Sequence, residues 1–299
     1  VDDVAIIPGP PGEQYVLKTD AIVEGIHFLP DDPADKVAQK LLRVNLSDLS
    51  AKGATPVGYL LTTALPPERD ETWLANFAEG LARDQAEFGI GLLGGDSVAT
   101  TGPVTLSVAA VGRVRAGETV LRSGAKPGDA VFVSGTLGDG ALGLRALRGE
   151  LPGIAADQRA YLADRYRLPR PRLRLGQRLV GTARAMMDIS DGLVADLGHI
   201  CATSGVGAVV EAGRLPLSPA ARAAISADSS LIMAVLSGGD DYELLFTAPS
   251  DAAQTVAAIA REVDVPVAAI GRIERGQGVR VLDQRGAPIA VADGGYRHF

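Results

Sequence analysis

Apolar positions along the chain recur with two periods, and segments of each kind alternate. Positions 15–20 and 104–111 read as half-buried strands, and 22–29 continues the first as extended chain broken at Gly25. Between them, Ala38, Leu41, Leu42, Asn45, Leu46 and Leu49 share one face at helical spacing, which predicts a helix over 35–52 with Gly53 as its C-cap. A strand over 57–65 closes at Pro66-Pro67, and Leu74, Phe77, Ala78 and Leu81 mark an amphipathic helix over 71–88. The run 90–93 predicts a short buried strand leading into Gly94-Gly95-Asp96-Ser97. Loop chemistry at 122–129 is the best domain boundary. A strand at 130–134 follows it, with a glycine turn at 135–140 into a helix. Further on, Leu193, Val194, Leu197, Ile200 and Cys201 line one helical face. Strands are expected at 207–211, 243–247, 266–270 and 279–282, and a helix at 251–262. The pattern predicts a mixed α+β fold in two domains, 1–122 and 123–299, each combining strands and helices.

Composition narrows the class. The chain has 299 residues, 46% hydrophobic and 22% charged, with no apolar run long enough to span a membrane. A soluble protein with a sizeable core is expected, with the cytoplasm as its address. Aromatics make up only 4% against 36 glycines, which suits tight turns better than base-stacking platforms. The formal net charge is −7 and no Lys/Arg block is present, so neither nucleic acid nor an anionic membrane is an expected partner. Such a surface would repel a phosphate substrate unless bound divalent cations reverse the local field. The single cysteine, Cys201, excludes an internal disulfide and a cysteine metal site, and its helical face makes it a buried thiol. The basic, proline-punctuated stretch 152–174 reads as a solvated face.

The candidate chemistry is acidic. In Met187-Asp188-Ile189-Ser190-Asp191-Gly192-Leu193, two carboxylates three residues apart sit where a strand-like run meets a helix. Ser190 reads as the helix N-cap and Asp191 as a first-turn acid. A related pattern occurs in Val44-Asn45-Leu46-Ser47-Asp48-Leu49, and Asp2-Asp3, Asp20 and Asp96 end other strand-like runs. Asp48 falls near the C-terminal end of its helix, where the dipole disfavours a carboxylate and a nearby cation would offset the cost. No Gly-x-x-x-x-Gly-Lys-Ser/Thr loop is present, and the glycine spacing of 135–140 is not that of a dinucleotide fingerprint, so this segment reads as a strand-to-helix turn. Three histidines without a His-x-x-x-His pair argue against zinc, and the lack of a Gly-x-Ser-x-Gly elbow argues against a serine hydrolase. What remains is oxygen-ligand chemistry. Asp3, Asp20, Asp48, Asp96, Asp188 and Asp191 could hold several Mg2+ ions that neutralise phosphate charge, and Arg122 could add a planar donor fork.

These motifs, taken in order, carry a family resemblance. Val1-Asp2-Asp3-Val4-Ala5, Lys18-Thr19-Asp20, Val23-Glu24-Gly25-Ile26-His27-Phe28, Val44 to Leu49 with Gly53-Ala54-Thr55-Pro56, and Gly94-Gly95-Asp96 lead the series. Arg122-Ser123-Gly124-Ala125-Lys126-Pro127-Gly128-Asp129, Asp188 to Leu193, and Ser237-Gly238-Gly239-Asp240-Asp241-Tyr242-Glu243-Leu244 complete it. Over essentially its whole length the chain resembles the thiamine-monophosphate kinases, of the superfamily that includes aminoimidazole ribonucleotide synthetase.

The resemblance implies ATP- and Mg2+-dependent phosphorylation of thiamine monophosphate to thiamine diphosphate by direct in-line transfer. It implies a homodimer formed through the N-terminal sheets and a nucleotide cleft lined by aspartates, completed by the C-terminal domain. By position, Asp3, Thr19, Asp20, Asp48, Asp96, Asp188 and Asp191 become metal ligands, with Lys18 contributing only through its backbone. Asp48, Asp96 and Asp191 become the catalytic acids. Gly95, Asp96, Arg122 and Ser190 would contact ATP, and His27, Glu243 and Tyr296 the thiamine phosphate. On the residues alone His27 reads as a capping or core histidine and Tyr296 as a tail aromatic. The chain departs from the family pattern in three places. It starts at Val1, where the family has a glycine and a preceding segment. It carries Lys18 in place of a small hydroxyl residue, and Asp240 in place of a glutamate. Another ATP-using member of the superfamily and a non-catalytic Mg-ATP sensor are the competing readings.

Overall fold

In the computed structural model, which describes residues 2, 4–291 and 295, a hairpin of β1 (Ala5–Pro8) and β2 (Glu13–Val23) opens the chain. Helix α1 (Ala34–Ala51), strand β3 (Thr55–Leu65), helix α2 (Glu71–Phe88) and strands β4 (Gly91–Ala99) and β5 (Thr105–Arg115) follow. The five strands form one sheet in the order β1-β2-β5-β3-β4, antiparallel except for the β3–β4 pair. The alternation seen at 15–20 extends further than the pattern suggested. Val16 and Ile22 are buried on the same face as Lys18 and Asp20, so Asp20 lies inside β2 rather than at its end. Leu41, Leu42, Leu46 and Leu49 of α1 are fully buried. Asp84 of α2 ties the two helices together, accepting from Arg43 Nε at 2.7 Å, Arg43 Nη2 at 2.8 Å and Gln39 Nε2 at 2.7 Å.

The structure corrects the short buried strand expected at 90–93. Strand β4 runs on through Gly94, Gly95, Asp96 and Ser97, and every residue in it is exposed. It is the edge strand, so the apolar side chains of Leu92 (48% exposed) and Leu93 (63% exposed) have no second layer over them. An apolar run reports what a segment would gain from burial, not whether its partner is present in the same chain.

The second part of the chain continues with β6 (Asp129–Ser134), α3 (Asp139–Leu147), α4 (Ala156–Arg167), α5 (Leu173–Leu179), β7 (Ala185–Asp188), α6 (Leu193–Ser204) and β8 (Gly207–Glu211). It ends with α7 (Pro219–Ala227), α8 (Ile232–Ser237), β9 (Leu244–Pro249), α9 (Ala253–Glu262), β10 (Val267–Glu274), β11 (Gly278–Leu282) and β12 (Pro288–Ile289). Their strands form a sheet in the order β12-β11-β8-β10-β6-β9-β7. Alternation along β6 assigns its two faces: Val131 and Val133 pack with Leu193, Leu197, Ile200 and Cys201 of α6, whereas Phe132 packs with Met186, Val256 and Ile259. The Phe132 and Phe246 rings stack at 5.2 Å on the second face. Cys201 is buried, and burial pushes its thiol up to about 11, which suits an inert core residue.

Two compact units result, Val1–Leu49 with Ala54–Thr119, and Ser50–Gly53 with Val120–Phe299. The turn at the end of α1 groups with the second unit, where the buried Lys52 Nζ donates to the Met186 carbonyl at 3.5 Å. A boundary drawn along the sequence has no way to express such an exchange. Among the described residues no helix is long and apolar enough to cross a membrane.

Candidate functional site

In the first unit, β2 and α1 bring Lys18, Asp20 and Asp48 together. Lys18 and Asp20 are two apart on one strand face, and Asp48 reaches them from the helix that covers it. The Lys18 ammonium stands 3.1 Å from Asp20 Oδ1 and 3.0 Å from Asp48 Oδ2. Asn45, one turn before Asp48, accepts the Asp20 N–H at 3.1 Å and donates to the Leu41 carbonyl at 2.9 Å, which locks strand to helix. Thr19 alternates onto the opposite face and is exposed. Asp96 pairs in register with Thr62, on the face away from the buried Tyr59 and Thr63, and its Oδ1 accepts the Ser97 N–H at 2.8 Å. Within this unit, therefore, Asp20 and Asp48 meet and Asp96 does not join them. Gly95, with φ of 156°, sits where an added Cβ would lie 1.8 Å from the Leu61 carbonyl oxygen, so only glycine fits beside β3 there.

His27 occupies the turn after β2. Its Nδ1 accepts the Val23 N–H at 3.0 Å, which leaves the Nε2 face as the proton donor of a neutral ring. Lys40 Nζ holds the His27 carbonyl at 2.9 Å. The capping geometry is real, and it also orients the ring. Asp3 and Tyr296 lie outside the described residues.

In the second unit, Asp188 ends β7 buried and Asp191 follows half-buried. Ser190 is not the cap of α6: the N-cap is Gly192, with φ of 131°. The chain turns between Asp188 and Gly192 because one carboxylate gathers its amides. Asp196 Oδ2, in the first turn of α6, accepts N–H from Ser190 at 3.0 Å, Asp191 at 3.1 Å and Gly192 at 3.1 Å. Burial, then the charges of Asp191 and Asp188, push the Asp196 carboxyl well above the usual carboxylate range. Sequence reasoning missed Asp196. Its signal was an acid on the otherwise apolar side of α6, where an unpaired carboxylate is costly. Ligand atoms of Asp191, Asp196 and the exposed His199 lie within 4.8 Å of one another. This unit therefore concentrates like charge at spacing that suits a divalent cation.

A second loop presses on the first. Gly239, with φ of 69°, sits where a Cβ would be 2.3 Å from the Ser190 carbonyl oxygen. Asp240 N–H donates to that same oxygen at 2.9 Å, and Tyr242 N–H to Ile189 O at 2.8 Å. Asp240 and Tyr242 both take positive φ, 63° and 51°, a strained setting for non-glycine residues that the interlock enforces. The next acid, Asp241, points back into the glycine turn, where Gly138 and Gly140 donate N–H to it at 2.7 and 3.1 Å. The turn at 135–140 thus cradles a carboxyl group supplied by the chain itself, at the N-terminus of α3.

Glu243 has a setting that the sequence did not suggest. It is fully buried and accepts from Ser134 Oγ at 2.6 Å, Arg172 Nε at 2.7 Å, Arg172 Nη2 at 2.5 Å and Arg165 Nη2 at 3.1 Å. Both arginines come from the stretch expected to be a solvated face. That expectation fails for them: Arg165 is 4% exposed and Arg172 16%. They turn inward because Glu243 and Asp139 are buried and require countercharge. Arg122 is half-buried ahead of Ser123, and its carbonyl accepts from Thr203 Oγ1 at 3.1 Å.

Residues 1–114 match the family of AIR synthase related proteins, N-terminal domain, and residues 126–284 the corresponding C-terminal domain. The thiamine-monophosphate kinase of Caulobacter vibrioides is 42% identical over 301 aligned positions, covering 100% of this chain and 84% of the relative. The chain belongs to the thiamine-monophosphate kinase family. Among solved kinases of the family, the enzyme from Stenotrophomonas maltophilia superposes with a TM-score of 0.86 at 39% identity, covering 96% of this chain and 93% of that one. AaThiL complexed with AMPPCP and TMP gives a TM-score of 0.88 at 33% identity, covering 100% of this chain and 91% of that one. The hydrogenase maturation protein HypE of E. coli shares the kinase fold at a TM-score of 0.76 but only 22% identity.

Proposed function

We propose that the chain transfers the γ-phosphoryl group of ATP to thiamine monophosphate, forming thiamine diphosphate and ADP in one in-line step. The observation that carries this reading is full-length likeness to a kinase held with an ATP analogue and TMP, joined to an acid-lined site without a phosphate loop. The second unit's Asp188 and Asp191 are the carboxylates that fit Mg2+, since their charges already burden Asp196 and a cation would relieve them. When bound, Mg2+ supplies neutralisation of phosphate charge during transfer.

The chain's own residues then have these roles. Asp191 and Asp96 are the catalytic acids, and Asp48 acts through Lys18. The Ser190 amide region and Gly95 offer main chain to the nucleotide, with the Arg122 guanidinium as a donor to phosphate. His27 presents Nε2–H to the acceptor phosphate. Glu243 serves the acceptor side from behind, by fixing Arg165 and Arg172. We also propose a homodimer paired along β4, an exposed edge strand carrying Leu92, Leu93 and Val98, which is the kind of edge that a second copy would cover.

The test is a coupled ADP-release assay with Mg-ATP, with and without thiamine monophosphate, followed by product identification. Acceptor-dependent ADP release with thiamine diphosphate as product is expected. ADP release indifferent to the acceptor would overturn the proposal, and Mg-ATP binding without turnover would point to a sensor.

A further inference from the structure

The pair Asp20–Asp48 already has a cation. We infer that Lys18 is a built-in counter-ion: its ammonium occupies the place between these carboxylates, so this pair takes no divalent ion of its own. The inference deepens the proposed function by dividing the metal requirement between the acid sets, and it rests on that reading only for its meaning in catalysis.

Three observations carry it. First, the ammonium is not a surface group resting on one acid. It lies about midway, 3.1 Å from Asp20 and 3.0 Å from Asp48, with its side chain 12% exposed and that of Asp48 8% exposed. Second, the arrangement is braced. Asn45 holds the Asp20 amide at 3.1 Å, so the strand and helix that bear the two acids keep a fixed spacing around the lysine. Third, Asp48 lies in the last turn of α1, where the helix dipole disfavours a carboxylate, and Lys18 supplies the offsetting charge that this position requires.

Mg2+ demands oxygens at about 2.0–2.1 Å in near-octahedral array. An ammonium about 3 Å from both acids stands where that ion would have to sit, and like charge keeps the two from sharing the site. The sequence offers the reason for this arrangement at position 18 itself. A small hydroxyl residue there would leave the two carboxylates facing each other without a cation, and a metal would be needed to fill the gap. Lysine fills it permanently, at the cost of a ligand position.

The experiment counts bound Mn2+ by the loss of its free electron paramagnetic resonance signal, using the full chain without nucleotide or acceptor. Wild type and Lys18→Arg are expected to bind one ion fewer per chain than Lys18→Thr. In EDTA the thermal midpoint of Lys18→Thr should fall below that of wild type and be recovered by Mg2+, with a smaller Mg2+ response in wild type. Asp48→Asn in the wild-type background should leave the Mn2+ count unchanged and covers the case in which Lys18→Thr does not fold. Equal counts in wild type and Lys18→Thr, or loss of one ion in Asp48→Asn, would overturn the inference. No step of the measurement uses turnover, so an inactive enzyme would overturn the kinase reading and leave this one standing.

Discussion

The Arg172 guanidinium forks onto the fully buried Glu243 carboxylate, Nε to Oε2 at 2.7 Å and Nη2 to Oε1 at 2.5 Å. Removing one partner of such a pair leaves the other charge uncompensated, at a cost of about 3–5 kcal/mol. Glu243→Gln should therefore lower the thermal midpoint markedly, with any loss of activity following the loss of fold. A variant with an unchanged midpoint and a raised KM for thiamine monophosphate would instead make Glu243 a direct substrate contact.

Asp196 gathers three consecutive amides with one oxygen, so its substitution separates shape from charge. Burial favours its neutral form, and Asn is a neutral isostere that keeps an acceptor. Asp196→Asn should retain most of kcat. Asp196→Ala leaves buried donors unsatisfied at about 1–3 kcal/mol each and should depress kcat and stability together. Comparable kcat in the two variants would exclude a positioning role for the carboxylate.

Asp96→Asn and Asp191→Asn keep size and remove charge. Each should cut turnover by roughly 10²–10³-fold, the scale seen when one electrostatic contact to a transition state is lost. The thermal midpoint should stay near that of wild type, because Asp96 is exposed and Asp191 half-buried. Turnover near wild type at saturating Mg2+ would remove both from the catalytic set.

His27 holds the Val23 amide through Nδ1. Asn can accept the same hydrogen bond but offers nothing where Nε2–H points. His27→Asn should preserve the turn and raise KM for thiamine monophosphate more than KM for ATP. Steady-state kinetics with the larger effect on ATP would move His27 to the nucleotide side.

Burial pushes the Asp241 carboxyl up from 3.8 to about 7, against the lowering effect of the Gly138 and Gly140 amides. The folded chain therefore binds this proton more tightly than the unfolded chain, whose aspartates titrate near 3.9. By linkage, the contribution of this group falls as pH rises from about 4 through about 7 and is lost above that. Unfolding by urea at about pH 5 and about pH 8 should show wild type losing more stability between the two than Asp241→Asn. Parallel losses would place the titration elsewhere.

Helix α2 was legible because it buries one periodic set of side chains and Asp70 and Gly89 mark its two ends, and strand β8 because it is a short apolar run buried on both faces. Helix α7 was not anticipated, because its buried face is made of the small side chains Ala220, Ala221 and Ala224, although Ser218 caps it through the Ala221 amide and Pro219 opens its first turn. Motif order identified the family, and the acids were visible as acids. Their partners were not. That Lys18 stands between Asp20 and Asp48, and that Arg165 and Arg172 turn inward to Glu243, are long-range facts, whereas Asp196 closes the Asp188–Gly192 turn from within the next helical turn. The sequence by itself determined which residues are charged and which segments must bury a face, because propensity and periodicity are local. Only the tertiary structure decided which charges share a low-dielectric space. Pairing there depends on groups as far apart in the chain as Ser134 and Glu243, brought together by the sheet.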